Sequence, residues 1–135
     1  MPCATVSIDI DGIGCYHAIH GLSAPTGVDP MYAVAMPRFL ELVAGLRLKA
    51  TLFAVGRDAE TAAAAQLLRR ASDDGHEVAN HSYRHDYRLI RQPAIEIESD
   101  LAAAHRAIEQ ATGIAPRGFR APGYNVSDAL LDALE

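Results

Sequence analysis

The 135-residue chain is predicted to be an α/β protein: about four strand–helix units in succession imply a parallel sheet, open or barrel-shaped, with right-handed crossovers. Three observations predict it. Short β-rich runs recur along the chain, each is followed by a stretch with apolar residues at helical spacing, and glycine or proline punctuates the joins.

The first run, Thr5 to Ile10 ("TVSIDI"), alternates β-branched with polar residues and meets Asp11-Gly12, a strand stopped by a turn. From Gly12 to Met36 there is no clear periodicity, and so long a loop is expected to wall a binding cleft. Pro37 suits the first turn of a helix, and "RFLELVAGLRL" then places Phe39, Leu40, Val43 and Leu46 on one face. "KATLFAV" is the second strand. The alanine-rich "RDAETAAAAQLLRRASDDG" is the second helix, stopped by Gly75 in the left-handed conformation that glycine tolerates. "HEVAN" is a short third strand followed by a polar, histidine-bearing loop. The third helix, "PAIEIESDLAAAHRAIEQATG", carries Ile95, Leu101, Ala104 and Ile108 at helical spacing and closes at Gly113. "RGFRAPGYN" gives a brief fourth strand and loop, and "VSDALLDALE" a last helix with Asp128 in its first turns.

Half of the residues are apolar and 21% are charged, enough for one domain with a sizeable core. The net charge is −5 and the arginines are scattered, which argues against a nucleic-acid partner. No apolar run approaches a membrane span and no cationic and apolar leader precedes the first strand, so a cytoplasmic protein with no membrane partner is expected. Cys3, read in the first strand, and Cys15, read in the loop, are expected to be reduced thiols without a chemical role.

Parallel α/β folds gather their functional groups beyond the carboxyl ends of the strands. Asp9 and Asp11 are two apart on a strand, so both carboxylates can enter one pocket. His81 and His85 have the i, i+4 spacing that would put two imidazoles on one side of a helical turn, about 5–6 Å apart at Cβ, where a zinc ion about 2 Å from each nitrogen can bridge them. Arg120 follows the fourth strand, and "APGYN" offers backbone N–H groups where Gly123 leaves room for a ligand. Each has a plainer reading: a polar loop for the histidines, ordinary Asp-Gly turn chemistry for the aspartates, a structural arginine and a simple Pro-Gly turn for the rest. Their convergence at the ends of strands one, three and four favours a metal site.

"SIDIDG", "GHEVANHSYRH" and "FRAPGY" resemble, in order and separation, the first three motifs of the polysaccharide deacetylase family, the NodB-homology carbohydrate esterases. The resemblance implies an irregular (β/α) barrel that removes N-acetyl or related acyl groups with one divalent metal. It implies Asp11, His81 and His85 as ligands, leaving an open position for water, which zinc would acidify. It implies Asp9 as the catalytic base, Arg120 as the cation that holds it, and a backbone N–H near Gly123 or Tyr124 for the oxyanion. Zinc is the first choice, although iron, cobalt and nickel also suit two imidazoles and a carboxylate. Tyr16, His17 and His20 of the long first loop would line the substrate cleft or, in the plainer reading, are exposed loop polarity. His76 is expected to bond backbone, His105 to face solvent, and Tyr83 and Tyr87 to pack beneath the loop or stack on a sugar.

Two departures bear on substrate and completeness. Ile10 separates aspartates that are adjacent in most members, which resembles a branch that includes intracellular enzymes acting on smaller amides as well as on cell-wall sugars. The family's later motifs, with an aspartate partner and a histidine general acid, would follow Glu135, so residues 1–135 read as one domain equal to the amino-terminal half of a barrel of about 250 residues. The expected substrate is an N-acylated sugar, or in the alternative a small amide or ureide. A rival is a non-catalytic metal- or carbohydrate-binding half-domain whose exposed sheet edge is covered in a homo-oligomer.

Overall fold

The computed structural model describes residues 4–135. Cys3 lies outside them. The described chain builds a parallel three-stranded sheet in the order β1 (Val6–Ile10), β2 (Ala50–Ala54), β3 (Glu77–Asn80). In register, Ile10 lies beside Ala54, and Ala54 beside Asn80, so all three strands end at one level. The alternating strand–helix reading is borne out.

Central β2 is buried along nearly its whole length, as a strand flanked on both sides and covered on both faces must be. Ile10, Leu52 and Val78 from the three strands join Met36 and Leu40 of α2 (Met36–Gly45), Leu68 of α4 (Ala62–Asp73) and Ile108 of α5 (Ala94–Thr112) in the main core. A second cluster of Leu89, Ile97, Leu101 and Leu130 anchors α6 (Asp128–Asp132) on α5. Gly75 and Gly113 adopt the positive φ that their places after α4 and α5 predict, 81° and 76°.

Several details differ from the sequence reading. Gly12–Met36 is not all loop: it holds α1 (Ile13–Ile19) and a wide π-type turn at Met31–Ala35 that runs into α2. Only Cys15 of α1 is buried, so no apolar stripe announces the helix; a carboxylate sixteen residues on, Asp29, accepts the Ile13 N–H instead. The alanine-rich helix is split into α3 (Gly56–Ala59) and α4, because Thr61 turns its hydroxyl onto the Ala64 N–H and caps a new start. On α5 the inward residue is Ile97, whereas Ile95 is 69% exposed; Leu46 after α2 is exposed as well. The fourth strand is reduced to one parallel bridge, Phe119 to Asn80, with the Arg120 N–H donating to Asn80 O at 3.0 Å. Pro122, which ends the segment in a short 3₁₀ turn, leaves no room for a longer ladder. His105 is half-buried rather than solvated, against the Arg117–Phe119 segment.

Candidate metal site

The carboxyl ends of β1 and β3 bring Asp9, Asp11, His81 and His85 together. Ile10 is fully buried in the core, and alternation about it turns Asp9 and Asp11 the same way. Both carboxylates reach His81: its Nε2 lies 3.6 Å from Asp11 Oδ1 and 4.0 Å from Asp9 Oδ2. His85 Nε2 lies 3.3 Å from Asp11 Oδ2, and the two imidazole centroids are 5.0 Å apart.

The histidines converge without a helical turn. Residues 81–86 are irregular, with Ser82 and His85 at φ of 64° and 55°, a region non-glycine residues rarely adopt. Their N–H groups are taken up locally: the Ser82 N–H donates to Asn80 Oδ1 at 2.8 Å and the His85 N–H to Ser82 Oγ at 3.0 Å. The two imidazoles thus come together as the i, i+4 reading expected, but through an irregular loop and not a helical turn.

The donor set fits a cation. His81 Nδ1 lies 2.7 Å from the Arg120 carbonyl oxygen, which can only accept, so Nδ1 carries the proton and Nε2 presents a lone pair. Burial holds the His81 imidazole below its usual range and keeps it neutral. That lone pair faces Asp11 Oδ1, itself buried with no hydrogen-bond partner. At 3.6 Å the two acceptors share no hydrogen bond. Their spacing is close to the roughly 3.3 Å edge of a tetrahedron with ligands about 2 Å from its centre. One atom each of Asp11, His81 and His85 falls within 4.8 Å of the others. The residues therefore suit one divalent metal, in keeping with the predicted ligand set.

Arg120 ties the groups together. Its Nη1 donates to Asp9 Oδ1 at 2.5 Å, its Nη2 to Ser7 Oγ at 2.7 Å, and its guanidinium lies over the Phe53 ring at 4.0 Å. One residue thus orients Asp9 with its side chain and His81 with its carbonyl.

The other predicted positions divide. Gly123 adopts φ 62°, and a Cβ there would press on the Tyr87 ring at 3.3 Å. Tyr124 is 74% exposed and its N–H donates to Ala121 O at 2.9 Å, so that N–H is engaged in the turn. Tyr16 lies on the site's side of α1: its phenol is pushed up first by burial and then by the negative charge of Asp11. His17 does not line the metal cleft. Its Nδ1 bonds Ser23 O, and it faces a separate depression of about 640 Å³ bordered by Pro25, Asp29 and Arg57. His20, the exposed residue after α1, lines neither. The cleft beside His85, about 520 Å³, is walled by Ala18, Ile19, Gly21 and Tyr87, whose ring centroid is 5.4 Å from that of His85. Tyr83 turns away and bonds Glu60. His76 bonds backbone as expected, its Nδ1 accepting from Ala50 N–H. The Cys15 thiol is pushed by burial up to about 12, an unreactive group.

Sequence reasoning passed over the residues beneath the site. Asp58 Oδ2 accepts the Gly12 N–H at 3.0 Å and the Tyr32 hydroxyl at 3.2 Å, and Asp29 accepts the Ile13 and Met31 N–H groups. Asp58 and Asp100 lie inside helical segments and show no spacing signal.

Comparison with known proteins agrees with this architecture. The family model described as "Polysaccharide deacetylase" matches residues 26–135, and the chain belongs to that family, with the NodB-type fold. It is 32% identical over 125 residues to a peptidoglycan deacetylase of Helicobacter pylori, covering 90% of this chain and 42% of the relative. A chitooligosaccharide deacetylase of Sinorhizobium fredii is 35% identical over 111 residues, covering 82% and 49%. A Bacillus anthracis structure described as a CE4-family pseudoenzyme superposes with a TM-score of 0.73 at 26% identity, over 96% of this chain and 38% of that one. The chain thus spans less than half the length of these relatives. Asp9 and Asp11 precede the residues that the family model matches, and their place in the site rests on the geometry. Among the described residues no helix is long and apolar enough to cross a membrane.

Proposed function

We propose that this chain carries the metal-binding and base-bearing part of a hydrolase that removes N-acetyl or related acyl groups from an amino-sugar polymer or oligosaccharide. The observation that carries the reading is Asp9, gripped by Arg120 at 2.5 Å and facing the Asp11–His81–His85 cluster from 4.0 Å. Asp11, His81 and His85 would hold the metal, zinc by choice of donors, with iron, cobalt or nickel as alternatives. A divalent metal, when bound, supplies Lewis acidity that polarises the scissile carbonyl and acidifies water.

The chain's own groups do the rest. Asp9 Oδ2, turned away from Arg120, takes the proton of the attacking water. Arg120 fixes the carboxylate's orientation, and through its carbonyl it fixes the His81 tautomer. The main chain at Gly123, where no side chain intervenes, is the proposed donor to the developing oxyanion. Tyr87 borders the cleft where the acyl-bearing substrate would lie.

Residues 1–135 are proposed as the amino-terminal half of such a domain, which accords with the fraction of each relative covered. Acetate release from N-acetylated chitooligosaccharides, against turnover of small amides and ureides, tests the reading in the metal-supplemented protein and its Asp9→Asn variant. Acetate release lost in Asp9→Asn supports it, turnover of ureides alone moves the substrate to small amides, and no turnover of either class by a protein extended past Glu135 defeats it. A second reading, binding without turnover, is favoured by the likeness to a pseudoenzyme. It predicts stoichiometric metal or glycan binding with no acetate released.

A further inference from the structure

We propose that Asp100, on α5, is the positioning residue that holds His81 and His85 in their convergent arrangement; this rests on the reading of those histidines as metal ligands. Asp100 is 8% exposed, and its Oδ1 accepts the Tyr83 N–H at 2.7 Å. Tyr83 lies midway between the histidines. Among the described residues, Asp100 is the one side chain from outside residues 80–85 that bonds the main chain between them.

The loop needs such a restraint. Two non-glycine residues sit at positive φ, and such strained conformations persist only where the surroundings over-determine them. Asn80 and Ser82 act within the loop itself, and the Ser82 and Tyr83 carbonyls accept main-chain N–H groups of Gly56 and Arg57. Asp100 couples the loop to the longest helix. That helix also takes Asn80, whose Nδ2 donates to Leu101 O, so adjacent residues of α5 grip the loop at its start and its middle. A buried carboxylate that accepts the main-chain N–H at the middle of the loop fixes the bend between the two imidazoles.

The test compares the metal-stripped chain with Asp100→Ala, Asp100→Asn, Ser99→Ala as a neighbouring control and His81→Ala as the site control. Zinc is titrated by calorimetry, cobalt is added for its visible spectrum, and imidazole ¹⁵N shifts are recorded without metal. Zinc affinity is expected to fall about 10–100-fold in Asp100→Ala, the usual cost of losing an orienting group behind a ligand. The cobalt spectrum and the His81 and His85 shifts should change as well. Asp100→Asn, which keeps one acceptor oxygen, should fall between, with Ser99→Ala unchanged. A folded Asp100→Ala with wild-type affinity, spectrum and imidazole shifts overturns the proposal; if it does not fold, Asp100→Asn decides by the same readouts. Should the wild-type chain bind no metal and match His81→Ala, the ligand reading fails, and the metal-free imidazole shifts still decide whether Asp100 positions the pair.

Discussion

The carboxylates and the imidazoles of the candidate site are delivered by opposite means. At the end of β1, ordinary strand alternation about buried Ile10 aims Asp9 and Asp11 the same way. Beyond β3 the chain leaves regular structure, and the side chains of His81 and His85, each 2% exposed, are aimed by a loop with two residues at positive φ. The lesson is that a pair of converging side chains can be specified either by the period of a strand or by hydrogen bonds to an otherwise unfavourable loop. The first needs a packed core residue between the two; the second needs partners brought from elsewhere.

If both means serve one metal, removing a ligand from either should be equally damaging. His81→Ala and Asp11→Ala are each expected to abolish one-to-one zinc binding in calorimetry. Retained binding in only one of them would break the comparison. Asp9→Asn should separate the two aspartates. Zinc affinity is expected to stay near wild type, while acetate release falls about 10²–10⁴-fold, the usual contribution of a general base.

A smaller effect is expected at Gly12, where a Cβ would lie 2.6 Å from both Asp29 Oδ2 and Asp58 Oδ2. Gly12→Ala should displace the carboxylates that clamp the turn after Asp11 and cost about 1–3 kcal/mol in urea unfolding, with weaker zinc binding. An unchanged midpoint would show that alternation alone suffices at β1.

The least effect is expected at His76, away from the candidate metal site. Burial, and then the charge of Lys49, hold its imidazole below the usual range. The unfolded chain then binds a proton near pH 6.5 that the folded chain resists, so this part of stability is complete above that pH and is lost as the pH falls through the folded value. Thermal melts from about pH 7.5 to about pH 5.5 should drop less in His76→Asn, whose side-chain oxygen can still accept the Ala50 N–H. An equal drop would assign the pH dependence to other groups.

Much of this was legible in the sequence because it depends on local rules. The strand cores, Gly75, Gly113 and the same-face relation of Asp9 and Asp11 follow from periodicity and backbone sterics. What stayed hidden depends on contacts between distant residues. Helix α1 has no apolar stripe and is started by Asp29; His17 is turned away by Ser23; Tyr124 spends its N–H on Ala121. Asp58 and Asp100 lie within helical segments, where an acidic residue is ordinarily taken for solvated surface.

By itself, the sequence determined the α/β order, the four residues at the strand ends and the family they resemble, since each is encoded in residue type and spacing. Tertiary structure alone decided which lone pairs converge, how Arg120 orders both Asp9 and His81, and why Ser82 and His85 tolerate positive φ. Those depend on donors and acceptors far apart in the chain, 111 residues between Arg120 and Asp9, whose meeting only the packed sheet and helices can arrange.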